Sequence, residues 1–365
     1  MKSIVHTTTG VFRVAVWSTG WIGSIAIRAA HRRADLELVG VWVHTPDKEG
    51  KDAGELAGME PIGLRATNDV DAILAARPDC VIYAASGPQL DAAAVPDYVR
   101  LLDAGVNVVT VTSWSLVYPP AFEAGWRAQL AEAAERGGAS LYASGIEPGF
   151  AADQLPLVLS TMSNTIRSVR STEIMLYDLY PVEFVLRDSM GFGLPLDATP
   201  LLALPGAQAA TWGPSIRLVA AGLGEDVEDV REYFDRVPTD RTLEVACGTI
   251  EAGTCGAVRT RTVGVVGGRE CIVIEHVNRM APDLAPEWPT GARGGDGTYT
   301  VHIEGDPDIE MTMTVGDPGT ATTGAMVATA MRIVNAVPAV VAAPPGLMSS
   351  LELPLTTPRH SLVPS

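Results

Sequence analysis

From residue 12 to residue 144 the chain alternates short apolar runs rich in β-formers with segments of helical length, and that alternation leaves few folds open to it. Phe12–Trp17 reads as a strand, Ile22–Arg33 as a helix, Leu36–Val43 as a strand, Val70–Ala76 as a short helix and Cys80–Ala85 as a strand. Val95–Ala104 follows as a helix, Val106–Thr112 as a strand, Ala121–Arg136 as an amphipathic helix and Ala139–Ser144 as a closing strand. Strands separated in this way predict a parallel sheet covered by helices on both faces.

The turn between the first strand and the first helix carries the most chemistry. It reads Trp17-Ser18-Thr19-Gly20-Trp21-Ile22-Gly23. Unpaired N–H groups at a helix N-terminus attract anions, and glycines there let the backbone approach a pyrophosphate. In this context the turn predicts a dinucleotide-binding, Rossmann-type domain, with Ser18 standing where a first glycine is usual. Ser18, Thr19, Gly20, Trp21, Ile22 and Gly23 are its expected contacts. The second strand ends Val43-His44-Thr45-Pro46-Asp47-Lys48, with no acid at its tip. His44, Thr45 and Lys48 suit a 2′-phosphate, so NADP is the expected cofactor; Asp47 keeps NAD open. Ala85, Ser86 and Gly87 follow the third strand, and Thr110, Thr112 and Ser113 the fourth, at the carboxyl ends where a cofactor would lie.

The pattern changes after residue 150. From about Glu173 strands follow one another without regular helices: Arg241–Gly248, Ala257–Val266, Glu270–Val277, Thr298–Glu304 and Ile309–Val315. This predicts an α+β domain with a mainly antiparallel sheet. Gly191–Pro214 and Pro282–Gly297 are Gly/Pro-rich and read as connections, lids or pocket walls, and Thr323–Val337 reads as one long helix. The pattern divides the chain into a dinucleotide-binding domain over 1–150, a second domain over 151–322, and a helix and tail over 323–365.

Composition narrows the partners. A formal charge of −17 repels phosphate backbones, so no nucleic-acid partner is expected. The densest basic cluster, Arg28–His31–Arg32–Arg33, falls at a helix end, where cations suit the helix dipole. The best apolar stretch, Ala325–Val341, is interrupted by Arg332, Asn335 and Pro338, so no membrane span is expected. Met1–Gly10 lacks an apolar signal region, and the four cysteines form no C-x-x-C pair. A cytoplasmic location and buried thiols follow as expectations, and the scattered histidines suggest no metal site.

Six fragments together resemble the dihydrodipicolinate reductase-like oxidoreductases, in particular the branch of 2,4-diaminopentanoate dehydrogenases and native amine dehydrogenases. They are V-W-V-H-T-P-D-K (41–48), A-A-S-G (84–87), G-I-E-P-G-F (145–150), M-G-F-G (190–193), A-P-E-W-P (285–289) and V-N-A-V-P (334–338). The resemblance implies a two-domain, homodimeric enzyme in which 151–322 serves for substrate binding and dimerisation and 323–365 returns to the first domain, and which reductively aminates a small ketone or aldehyde with ammonia, or runs the reverse. It also implies that Asn335 meets the nicotinamide end of the cofactor; a helix asparagine bonded to a neighbouring loop is the other reading. The resemblance does not extend to the histidine–histidine and lysine motif of true dihydrodipicolinate reductases, since Glu275-His276 lies too late in the chain. The loop Thr112-Ser113-Trp114-Ser115-Leu116 carries no acid where diaminopentanoate-type members tend to have one.

Imine formation needs a group that binds ammonium and moves protons, and a buried carboxylate does both. Glu147 is the preferred candidate; its alternative role is to stabilise a helix starting near Phe150. Glu173, Tyr177, Asp178 and Tyr180 follow, with Tyr177 a second catalytic candidate as proton donor. Trp114, Phe150, Tyr180 and Phe192 are expected to wall a pocket for a small, mainly apolar substrate. Two other functions stay open: an ammonia-independent carbonyl reductase or alcohol dehydrogenase, and a cofactor-binding sensor without turnover.

Overall fold

The computed structural model describes residues 10–85, 90–292, 296–317, 319–359 and 361–362. The chain divides into two compact units, Met1–Gly149 with Met326–Ser365, and Phe150–Ala325.

The first unit is built on a six-stranded parallel sheet. Its strands are β1 (Phe12–Trp17), β2 (Leu36–Trp42), β3 (Cys80–Tyr83), β4 (Asn107–Thr110), β5 (Ser140–Ala143) and β14 (Gly346–Met348), in the order β14-β5-β4-β3-β1-β2. Alternate residues face opposite layers. Val14 and Val16 pack with Ala26, Ile27 and Ala30 of α1 (Trp21–Arg32) and with Ile333, Val334, Val337 and Val340 of α8 (Ala321–Val341). Ala15 and Trp17 face Tyr98, Leu101 and Leu102 of α4 (Leu90–Asp103) and Leu130, Ala133 and Ala134 of α5 (Ala124–Gly137). Because both faces are covered, the strands read as continuous apolar runs. Local signals set the helix ends. Asp52 caps α2 (Ala53–Leu56), Asp69 caps α3 (Val70–Ala75), and Glu123 accepts from the N–H groups of Gly125 and Trp126 at the start of α5. Gly138 ends α5 at φ 69°, in the left-handed region that glycine enters freely.

By length and mean hydropathy α8 also qualifies as a membrane span, which the interruptions at Arg332, Asn335 and Pro338 argue against in the sequence. Here its apolar face is buried beneath the sheet, and Arg332 and Asn335 bond within the unit. The chain leaves β1 toward β2 on one side and crosses back to β3 on the other. The turn after β1 therefore lies at the switch point, outside the carboxyl ends of the strands, where ligands bind in such sheets.

The second unit holds β6 (Thr165–Leu176), β7 (Asp229–Pro238), β10 (Cys255–Val266), β11 (Arg269–Arg279), β12 (Thr298–Asp306) and β13 (Ile309–Thr314), in the order β13-β12-β6-β11-β10-β7. All neighbours are antiparallel except β6 and β11. α6 (Gln154–Ser160) and the 16-residue α7 (Ala207–Gly222) lie on one face of this sheet. α7 corrects the expectation of strands without helices after Glu173, since it begins inside the stretch read as a Gly/Pro-rich connection. Pro214 sits within α7, yet Trp212, Ile216 and Val219 bury against Val169, Ile274 and Val301, and that packing overrides the local penalty. Arg241–Gly248 is likewise not one strand: β8 (Leu243–Val245) and β9 (Gly248–Ile250) form a hairpin.

Candidate active site

The turn after β1 has the shape a pyrophosphate needs. Ser18 adopts φ 89°, the conformation of the glycine it replaces. A Cβ at Gly23 would stand 2.0 Å from the Ser18 carbonyl oxygen, so only glycine lets α1 start this close to the strand end. No side chain caps α1, which leaves its first-turn N–H groups to an anion. Lys48, in the 3-10 turn after β2, donates from Nζ to Thr19 Oγ1 at 3.1 Å and brings a cation to the same turn. His44 and Thr45 are exposed beside it, and Trp42 stacks on buried Trp17 at 4.4 Å between ring centroids. Gly20, Trp21 and Ile22 open the helix as expected. These residues fit a nicotinamide dinucleotide: Ser18–Gly23 would hold its phosphates, and His44 would lie toward its adenosine end. Ala85 ends the described part of the loop after β3, and its carbonyl accepts from Thr112 Oγ1 at 2.8 Å. Ser86 and Gly87 lie outside the described residues.

Beyond the carboxyl ends of β4 and β5 lies a cavity of about 40 Å³, room for about three waters. Its walls are Thr110, Val111, Ser113, Trp114, Val117, Ala143, Ser144, Gly145, Glu147, Pro148 and Thr329. Glu147, two expected loop residues and expected Trp114 thus meet at one place, with Trp114 46% exposed at the rim. The glutamate rides on a tight turn. Gly149 has φ 118°, and a Cβ there would meet the Gly145 nitrogen at 2.3 Å. Glu147 does not cap the next helix: α6 starts at Gln154, and Asp153 caps it at 2.6 Å. Behind the loop after β4, Tyr98 Oη hydrogen-bonds Thr110 Oγ1 at 2.8 Å, and Asp91 reaches Ser113. Burial raises the Asp91 carboxyl above its usual range.

Several expected residues stand elsewhere. Asn335 accepts from Arg33 Nη1 at 2.6 Å, and Arg33 also grips Asp35 with two bonds. Arg33 caps the C-terminal end of α1, about 20 Å along the helix from Gly20, so Asn335 fastens a helix end and does not meet the nicotinamide. Phe192 is fully buried among Leu186, Met190 and Ile250, and is core, not pocket wall. Phe150 packs on the cluster around Leu155 and Trp212. Tyr177 and Tyr180 follow β6 with rings 5.4 Å apart, and Tyr177 Oη donates to Glu173 Oε1 at 3.5 Å. Burial pushes Glu173 up to about 7, although Tyr299, Asn278 and Tyr177 hold its charged form. Glu275 pairs with Arg170 and Arg259, and His276, the register partner of Glu173, sets its ring at a tilt against Trp212 with centroids 4.4 Å apart. Sequence reasoning missed Thr329, Ser144 and Arg332. The first and last lie more than 180 residues from the loop they serve, and no local pattern connects them.

A parallel sheet of this order, with its first turn shaped for a pyrophosphate, makes the first unit a dinucleotide-binding domain of the kind that oxidoreductases carry. Comparison with known proteins carries this further. Residues 12–110 match the family described as dihydrodipicolinate reductase, N-terminus, and residues 150–362 match the 2,4-diaminopentanoate dehydrogenase C-terminal domain. An amine dehydrogenase of Streptomyces virginiae is 41% identical over 93% of this chain and 95% of its own length. A 2,4-diaminopentanoate dehydrogenase of Acetoanaerobium sticklandii is 24% identical over 70% of this chain and 68% of its own. The structure of an amine dehydrogenase from Mycobacterium smegmatis shares the fold, with a TM-score of 0.75 at 20% identity over 97% of this chain and 99% of that one. The chain belongs to the 2,4-diaminopentanoate dehydrogenase family, and it is an NAD(P)-dependent oxidoreductase.

Proposed function

We propose that the protein is an NADP-preferring amine dehydrogenase of the cytoplasm, acting as a homodimer, that joins ammonia to a small ketone or aldehyde and reduces the product, or runs the reverse. The observation that carries this reading is the Glu147 carboxyl in the wall of a cavity the size of a few waters. Carbonyl reduction alone calls on a hydroxyl donor, which this cavity also has; chemistry with ammonia calls in addition for an anion that binds ammonium and moves protons, and Glu147 supports that reading. NAD(P)H, when bound, supplies the hydride that reduces the substrate carbon. Glu147 holds ammonium and accepts its proton, which frees the nitrogen lone pair to attack the carbonyl. As the nitrogen attacks, one of its protons passes to the carbonyl oxygen, and the Glu147 carboxyl then protonates the resulting hydroxyl, which leaves as water and gives the protonated imine. Ser113, Ser144 and Thr110 offer hydroxyls around the nitrogen, and Trp114 covers the rim. The lean to NADP is supported by Lys48 at Thr19, by exposed His44 and Thr45, and by the lack of an acid at the end of β2.

The test is NADPH and NADH oxidation with small ketones and aldehydes, with and without ammonium. Ammonium-dependent turnover is expected, and Glu147→Gln is expected to lower kcat by about 100-fold or more. Turnover that ignores ammonium would move the function to carbonyl reduction, with Tyr177 as the proton donor to examine. Tight cofactor binding without turnover on any substrate would favour a sensor.

A further inference from the structure

We infer that Arg332 is a positioning residue that sets where the Glu147 carboxyl points, an inference that rests on the catalytic reading of Glu147. The turn from Ser144 to Gly149 is held from behind by one face of α8. Thr329 lines the cavity, and its Oγ1 accepts from the Ile146 N–H at 3.4 Å. One turn further along, on the same face, Arg332 donates from Nε to Ser144 Oγ at 3.3 Å and from Nη2 to the Gly149 carbonyl at 3.4 Å. Nη2 also reaches Tyr142 Oη, at the end of β5, at 3.4 Å. Ser144 Oγ in turn donates to the Gly149 carbonyl at 3.1 Å. A single planar guanidinium therefore ties both ends of the turn to each other and to β5, while Thr329 holds its middle.

The chemistry of the fork explains the choice of residue. Three acceptors on three residues lie within reach of one rigid group, which a lysine's single ammonium cannot match. Arg332 is not among the cavity-lining residues. Its effect passes through the turn. Glu147 is at the tip of that turn, with Ile146 clamped before it and Gly149 after it, so loosening the clamp changes the carboxyl's aim without removing it. Misplacement of a reacting group by about 1 Å costs about 100-fold in rate.

The experiment is a double-mutant cycle on the full chain with Glu147→Gln, Arg332→Met and the double variant, and with Arg332→Gln as a milder replacement should Arg332→Met fold poorly. NADPH affinity by fluorescence titration and thermal midpoint are followed beside kcat and KM for ammonium and for the ketone. Arg332→Met is expected to lower kcat about 100-fold and raise KM for ammonium, with KM for the ketone and NADPH affinity within about twofold of the parent. In the Glu147→Gln background it is expected to cost no more than about twofold, because two residues that act as one unit do not add. Losses that multiply in the double variant, or full activity in both Arg332 variants, would overturn the inference while leaving the role of Glu147 intact. Full activity of Glu147→Gln would overturn the catalytic reading itself, and the inference with it.

Discussion

Glu173 and His276 face each other across the parallel pair β6 and β11, and burial pushes them in opposite senses. Glu173 is raised from 4.5 to about 7, chiefly by desolvation, and His276 is lowered from 6.5 to about 4 by the same cause. The folded protein keeps a proton on Glu173 that the unfolded chain releases between pH 4.5 and about 7, so this residue removes stability as pH rises through that window, about 3 kcal/mol in all. His276 works the other way: the unfolded chain takes up a proton below pH 6.5 that the fold refuses until about 4, so stability falls as pH falls. The two slopes offset. Stability of the parent protein from these groups should change by no more than about 1 kcal/mol between pH 5 and 7.5. Glu173→Gln should unmask the histidine slope and make the protein about 2 kcal/mol less stable at pH 5 than at pH 7.5. Urea denaturation at the two values checks this, and parallel pH curves for the two proteins would refute it.

At the scale of the element, the strand–turn–helix unit β1–α1 holds Ser18 in a glycine conformation and Gly23 against a carbonyl. Ser18→Gly should raise stability or leave it unchanged, by up to about 1 kcal/mol, since an L side chain pays for the left-handed region. Gly23→Ala should cost about 1–3 kcal/mol and weaken NADPH binding, because the turn must open to admit the methyl. Thermal midpoints and cofactor titrations read both; tight binding by Gly23→Ala would remove the close-approach argument. This unit was legible because its information is local: an apolar run, a glycine pair at fixed spacing and a capless helix start. The Glu147 turn was half legible, since the Gly-Ile-Glu-Pro-Gly string is local while Thr329 and Arg332, which hold it, are not. α7 stayed hidden because Gly206, Gly213 and Pro214 are breakers by composition; Gly206 stays outside the helix, and burial of Trp212 and Ile216 holds Gly213 and Pro214 within it. β7 stayed hidden too, as Asp-Val-Arg-Glu-Tyr-Phe-Asp-Arg alternates charge with half-buried positions at the sheet edge. Asn335 was misassigned because its partner, Arg33, is 302 residues away.

At the scale of the molecule, the first unit is assembled from both ends of the sequence. α8 puts Ile333, Val334, Ala336, Val337 and Val340 into the core under β1 and α1, and β14 completes the sheet beside β5, where Ser140 Oγ donates to the Pro344 carbonyl at 2.8 Å. Residues 1–149 alone would leave that apolar layer open to water. They should express as an aggregating or dye-binding species without cooperative unfolding, and adding residues 326–365 in trans or by a short linker should restore a sharp transition. A cooperative, NADPH-binding fragment 1–149 would refute this dependence.

The same discontinuity sets an order on the birth of the protein. A chain emerging from a ribosome at about 5–20 residues per second presents β1, its phosphate turn and the other early strands long before α8 exists. The unit that is first in sequence is therefore the last to be finished. The inserted unit, Phe150–Ala325, is contiguous and has every strand of its own sheet before α8 is complete. During synthesis the nucleotide-binding half waits, with one face uncovered, for a helix encoded after its neighbour.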